Sequence, residues 1–379
     1  MNRQGLNAEL IGVPGGRAKL ATPALVVDLD RLEANIAAMA AFAEAKGIAL
    51  RPHAKTHKCV EISKRQIAAG ARGICVAKLG EAEAQADGGI ESILITSPVV
   101  TEAGMARLMA LNARVSELMA VCDNSDVAAR LSAAAEACGK PLSVLVDIDP
   151  GLGRTGILPG AGAFDLVEQV AESAGLIYAG LQCYAGQVQH MESANERRAA
   201  SLAALNDLRD LIETLEDAGL SPDIVSGGGT GTFDIDPEAG VLTELQVGSY
   251  VFMDRQYNDV WTKSGGRPPF ATSLYVQTTV ISANRAGLAT TDAGFKSFAT
   301  DAEAPLIAAG APDGVSYFFF GDEQGGILYS GEPGLVPGSV VSCVVPHCDP
   351  TVNLYDRIHA VRGDTVEAIW AVEGRGRSA

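Results

Sequence analysis

Short apolar runs recur from residue 24 to residue 226, at 24–28, 48–53, 73–77, 92–96, 118–122, 143–148, 177–184 and 223–226. Their length and β-branched content predict buried strands. Between them lie alanine-rich segments near 59–69, 79–88, 102–112, 125–138, 163–174 and 193–218, with apolar positions at helical spacing. Asp30 offers an N-cap for one further helix, with Leu32, Ile36, Met39 and Ala40 along its inner face. Strands alternating with helices predict a (β/α)8 barrel, and a doubly wound sheet is the competing arrangement. The barrel is preferred because glycine and polar residues recur at the C-terminal end of one strand run after another.

From about residue 255 the pattern changes. Alanine-rich helical segments stop, and runs rich in β-branched and aromatic residues take over at 274–281, 316–320, 339–345 and 366–370, separated by Gly, Pro and Asp turns. They predict a second, mainly antiparallel β domain. The expected division is a barrel over 22–254 and a β domain over 255–379, with residues 1–21 packing against the latter.

Composition narrows the class. The chain has 379 residues, 47% of them hydrophobic, and a formal net charge of −17. That balance disfavours a nucleic-acid partner but leaves room for a local cationic pocket. No apolar run reaches the roughly 18 residues of a membrane span. The seven cysteines are odd in number and form no CxxC pair. They are expected to be reduced thiols in a cytoplasmic protein.

Five stretches carry candidate chemistry. Arg51-Pro52-His53-Ala54-Lys55-Thr56-His57-Lys58 sits where a strand runs out into a loop. A lysine there can form a Schiff base if neighbouring cations, Arg51 and Lys58, and desolvation lower its pKa. Spacing alone does not choose between Lys55 and Lys58. Ser226-Gly227-Gly228-Gly229-Thr230-Gly231-Thr232 follows the last strand run and can turn backbone N–H groups toward a phosphate. Gly248 and Ser249 follow another apolar run and can close the same cup. Arg154, on a glycine-rich turn, is a candidate anion contact; Tyr184 and His190 offer a ring and a base. His347-Cys348-Asp349 would place His347 and Asp349 on one side of an extended segment, as ligands for a divalent ion. Each stretch also has a plainer reading: a solvated basic loop, a flexible glycine turn, or a hydrogen-bonded surface pair.

Taken together, these motifs resemble the D-threonine aldolase / 3-hydroxy-D-aspartate aldolase family, pyridoxal-phosphate enzymes of alanine-racemase-like fold. The resemblance runs from Thr22-Pro23-Ala24-Leu25-Val26-Val27-Asp28 to Glu373-Gly374-Arg375-Gly376. Its most specific pieces are the 51–58 stretch, Val225–Gly231, Glu244-Leu245-Gln246, Gly248-Ser249-Tyr250 and Pro346–Thr351. It implies Lys55 as the Schiff-base lysine, and Arg154, Tyr184, Gly228, Gly229, Thr230, Gly248 and Ser249 around pyridoxal 5'-phosphate. It further implies His347 and Asp349 as ligands of a divalent metal, Mn2+ first, with Mg2+, Zn2+ or Co2+ as alternatives. The related D-serine and D-threo-3-hydroxyaspartate dehydratases carry cysteine where this chain has Asp349, which favours an aldolase. The implied reaction is cleavage of a D-β-hydroxy-α-amino acid to glycine and an aldehyde; His190 is the candidate base, with a metal-bound hydroxide as its rival. The alternative is a dehydratase-like lyase releasing a 2-oxo acid and ammonia. A small-molecule D-amino acid substrate and a homodimer belong to the same expectation.

Overall fold

The computed structural model describes residues 5–331 and 334–379. The chain divides into two compact units. One holds Met39–Lys55, Val60–Gly248 and Gly376–Ala379; the other holds the remaining stretches, up to Ala38, Thr56–Cys59 and Ser249–Arg375.

The first apolar run forms β1 (Ala24–Asp28) and leads into α1 (Leu29–Lys46). The helix begins one residue before Asp30, so Asp30 is not its cap. Asp28 does that work, its Oδ1 accepting the Arg31 N–H at 3.2 Å. β1 is also not a barrel strand. It pairs antiparallel with a later strand and parallel with another, both in the β unit.

The barrel strands are β2 (Ala49–Leu50), β3 (Ile74–Val76), β4 (Ser92–Ile95), β5 (Glu117–Cys122), β6 (Leu142–Ile148), β7 (Leu176–Cys183), β8 (Ile224–Gly227) and β9 (Glu244–Leu245). They pair in parallel in the order β2-β9-β8-β7-β6-β5-β4-β3. The ring closes where His53 bridges Cys75 and the Cys75 N–H donates to the Pro52 carbonyl at 2.8 Å. The predicted barrel is therefore present, but its eighth strand is β9 rather than the run at 24–28. Helices α2 (Val60–Ala68), α3 (Leu79–Asp87), α4 (Glu102–Arg114), α5 (Ser125–Cys138), α6 (Ala161–Glu172) and α7 (Ala194–Asp217) fill the crossovers. Their starts are set by caps such as Asn124, whose side chain accepts the N–H groups of Asp126 and Val127. Cys75, Leu94, Met119, Val121 and Leu145 form one buried cluster across β3 to β6, as expected of parallel strands covered on both faces.

The β unit contains α8 (Arg255–Lys263), β10 (Leu274–Arg285), β11 (Leu288–Thr291), β12 (Leu306–Ala309), β13 (Ser316–Phe319), β14 (Gly325–Leu328), β15 (Val340–Val344), α9 (Cys348–Val352), β16 (Arg357–Arg362) and β17 (Thr365–Ala371). The sheet path is β13-β14-β11-β10-β1-β16-β17, with β15 joining β10 and β12 joining β15. All pairings but β1 with β16 are antiparallel. Leu20, Ala24, Val26, Val361 and Val366 make a core cluster of this unit, with Leu10 and Ile369 packed on it. Residues 5–21 are tied to β17 by the Gly12 N–H, which donates to the Val366 carbonyl, and by Arg17, which donates to Asp364. Beside its strands the unit includes helices, because Asp254 accepts the Tyr257 N–H in the first turn of α8 and the Cys348 N–H at the start of α9.

Candidate active site

The basic stretch after β2 does not act as one cluster. Arg51 is only 1% exposed. Its Nε donates to Glu244 Oε1 at 2.9 Å and its Nη1 to Ser92 Oγ at 2.7 Å. Ser226 Oγ donates to the same Glu244 oxygen at 2.6 Å. Ser92 and Glu244 open β4 and β9, so the guanidinium lies toward the N-terminal ends of the strands, away from the mouth. The expectation that Arg51 supplies an unpaired positive charge beside Lys55 is thus not met: Glu244 neutralises it. Lys58 falls in the β unit, where its carbonyl accepts the Gly374 N–H at 2.9 Å.

Lys55 stays in the barrel unit and is half-buried. Its Nζ lies 5.8 Å from the centroid of the Tyr184 ring, and Arg154 Cζ lies 5.5 Å from the same centroid. Both cations are within cation–π reach of one ring. Tyr184 follows β7 directly. Arg154 is placed by a tight loop after β6, in which the Asp149 carboxylate accepts the N–H groups of Gly151, Leu152 and Gly153. Three predicted residues from three barrel loops therefore converge. Beneath them, Asp147 accepts from Gln182 Nε2 and from Thr155 Oγ1, both at 2.8 Å. Burial pushes its carboxyl up to about 6, against the pull of those two hydrogen bonds.

The glycine stretch after β8 is held by a residue the sequence did not single out, Gln189. Its Oε1 accepts the Gly231 N–H at 2.9 Å and its Nε2 donates to Thr232 Oγ1 at 2.9 Å. A Cβ on Gly229 would lie 2.4 Å from Gln189 Oε1, and one on Gly231 would lie 2.1 Å from the Gln189 carbonyl oxygen. Gly228 has φ +72°. Packing therefore demands glycine here, at the strand ends where barrels receive phosphates, and the loop is buried with the Gly231 N–H already held by Gln189. Behind the loop, Asp236 accepts from Thr232 Oγ1 at 2.6 Å and from Ser201 Oγ. Burial pushes its carboxyl up to about 6. No motif marks Gln189 or Asp236; only their glycine neighbours carry a sequence signal. Gly248 ends the long barrel stretch, and Ser249 opens the next stretch of the β unit. His190 is exposed, while its neighbour Gln189 is buried.

In the β unit, His347 and Asp349 do not lie on an extended segment. His347 is the N-cap of α9, and Asp349 lies in its first turn. Cys348 between them is fully buried, its N–H donating to Asp254 Oδ2 at 2.8 Å. Burial pushes the Cys348 thiol well up, which disfavours a thiolate ligand. His347 Nδ1 stands 2.7 Å from Asp301 Oδ2, leaving Nε2 as the other ring position. Among the described residues there is no group of three or more His, Cys, Asp or Glu side chains suited to hold a metal. At the start of α9 there are an imidazole and a carboxylate, donor types that suit a divalent ion.

Comparison with known proteins gives the family. The family model described as alanine racemase, N-terminal domain, matches residues 27–256, and a serine dehydratase domain model matches 273–361. A D-threonine aldolase from Arthrobacter sp. is 40% identical over 95% of this chain and 94% of its own. A 3-hydroxy-D-aspartate aldolase from Paracoccus denitrificans (strain Pd 1222) is 36% identical over 97% of this chain and 96% of its own. The crystal structure of D-threonine aldolase from Filomicrobium marinum superposes with a TM-score of 0.90 at 38% identity, covering 96% of this chain and 97% of that one.

Proposed function

Because this chain belongs to the alanine-racemase-like family of D-threonine and 3-hydroxy-D-aspartate aldolases, we propose that it is a carbon–carbon lyase cleaving D-β-hydroxy-α-amino acids to glycine and an aldehyde. The observation that carries the reading is the convergence of Lys55 and Arg154 on Tyr184, beside a glycine loop packed too tightly for any larger residue.

These residues fit pyridoxal 5'-phosphate: an amine for its carbonyl, a cation and a ring for its face and phenolic edge, and a glycine loop at the strand ends for its phosphate. When bound, it supplies the electron sink for the carbanion left as Cα–Cβ breaks. Lys55 would hold the cofactor covalently through its side-chain amine. Gly228, Gly229, Thr230 and Gly248, with Ser249 next in sequence, hold the phosphate. Arg154 is set by the Asp149 turn and orients the ring together with Tyr184. His190 takes the proton of the substrate β-hydroxyl, the step that commits the reaction to cleavage rather than dehydration. His347 and Asp349 hold a divalent ion, Mn2+ before Mg2+, Zn2+ or Co2+. The ion supplies Lewis acidity toward a hydroxyl oxygen.

The same reading takes the protein as a cytoplasmic homodimer, in keeping with seven free thiols. The serine dehydratase domain match over 273–361 favours testing the dehydratase alternative directly. Purified protein would be given D-threonine and D-threo- and erythro-3-hydroxyaspartate, with and without Mn2+. Glycine and an aldehyde support the aldolase; a 2-oxo acid with ammonia replaces it.

A further inference from the structure

We propose that Asp301 is a positioning residue for the metal site: it fixes the tautomer of His347 so that Nε2 presents its lone pair to the ion. This rests on the reading of His347 as a metal ligand.

The contact is direct, with Nδ1 2.7 Å from Asp301 Oδ2. Asp301 is half exposed, at 51%, and an exposed carboxylate would ordinarily be free to leave a histidine. Here the backbone that carries it is pinned to the histidine's own turn. The Ala299 N–H donates to Thr351 Oγ1 at 2.9 Å, and that hydroxyl donates to the His347 carbonyl at 2.7 Å. Thr351 is fully buried. Four residues beyond it, the Tyr355 hydroxyl donates to the Ser297 carbonyl at 2.9 Å. The stretch 297–301 is thus laced at two points to the segment that starts at His347. On the other side of that segment Asp254 accepts the Cys348 N–H, so the cap cannot rotate freely.

A carboxylate on Nδ1 keeps the proton on that nitrogen and leaves Nε2 unprotonated, the form a divalent ion needs. His347 alone would populate both tautomers, and each binding event would have to select one. Asp301 was not visible as a partner in the sequence, because 46 residues separate it from His347.

The test uses Mn2+ alone as probe on the full chain, by titration calorimetry and by electron paramagnetic resonance of bound Mn2+, for Asp301→Ala, Asp301→Asn and His347→Ala. Circular dichroism confirms the fold of each. Asp301→Ala is expected to bind Mn2+ about 10- to 100-fold more weakly. Asp301→Asn, which keeps an acceptor oxygen but no charge, should fall between it and the parent. In metal-free protein the 15N imidazole shifts of His347, assigned by the signal lost in His347→Ala, should show Nδ1 protonated in the parent and a mixture in Asp301→Ala. Unchanged Mn2+ affinity and unchanged shifts in Asp301→Ala overturn the inference. So does a loss in Asp301→Ala as complete as in His347→Ala with no rescue by Asn, since Asp301 would then be a ligand. If His347→Ala itself binds Mn2+ normally, the metal assignment has failed, and that result is distinct from either outcome for Asp301.

Discussion

Arg51 Nε lies 2.9 Å from Glu244 Oε1, with the two side chains only 2% and 1% exposed. The pair joins β2 to β9, the shortest strands of the barrel, where little backbone pairing holds the ring shut. Arg51→Ala would leave Glu244 charged in a buried site. A loss on the order of 3–5 kcal/mol is expected, read from denaturant unfolding. Substituting Arg51 by Met together with Glu244→Gln should cost less than the single change, since no lone charge remains.

Lys55 and Lys58 separate cleanly by experiment. With pyridoxal phosphate added, Lys55→Ala should lose the visible absorbance of the loaded protein, while Lys58→Ala keeps it. The reverse result would move the covalent attachment to Lys58.

Asp349→Ala should lose activity that excess Mn2+ partly restores, because one ligand remains on His347. The parent enzyme, treated with a chelator, should lose activity and regain it on adding Mn2+. Undiminished turnover in chelator would remove the ion from the reaction.

His190→Ala should slow cleavage by about 10²- to 10⁴-fold if that imidazole takes the hydroxyl proton. Setting the loss of rate beside any shift in the unfolding midpoint separates a chemical role from a structural one. A loss of less than about tenfold gives the proton to another group.

Asp236 gives a pH test of the glycine loop. Its folded-state carboxyl sits at about 6, above the ordinary value near 3.8, because of burial. The folded chain therefore holds a proton that the unfolded chain has already released between about pH 4 and 6. Stability from this group is present below that window and is lost as pH rises through it. Asp236→Asn lacks this dependence. Its stability relative to the parent should improve from pH 4 to pH 6 and stay level above, in urea melts at fixed ionic strength. A constant difference across that range would mean Asp236 does not titrate as argued.

The sequence carried the alternation of strands and helices well, and the barrel followed from it. The place of individual strands did not. Ala24-Leu25-Val26-Val27 has the same apolar character as any barrel strand, and only its pairing with β10 and β16 puts it in the other sheet. Glu244-Leu245, by contrast, is too short to show a period, and its glutamate reads as surface until Arg51 is seen beside it. Similarly, Arg51 and Lys55 look like one basic cluster, yet the first turns toward the bottom of the barrel and the second toward its mouth. That Tyr184, Arg154 and a lysine sit at strand ends was legible from the glycine and polar residues there, while the choice of Lys55 over Lys58 came from the resemblance. Gln189, Asp236 and Asp301 were not, since each acts on a residue far off in the chain. The helix at Cys348–Val352 had one sign, Pro350, which is tolerated in a first turn where no N–H is needed.

The chain alternates between its units in six stretches, crossing five times, with a visit of four residues, Thr56–Cys59, immediately after Lys55. No single cut can release either unit whole, and no truncated gene encodes one of them complete. Lys55 is thereby the last residue before a crossing. A protease nick or an insertion between Lys55 and Val60 would fall where the chain passes from one unit to the other and back within four residues, which makes this short excursion a poor place for engineering a break.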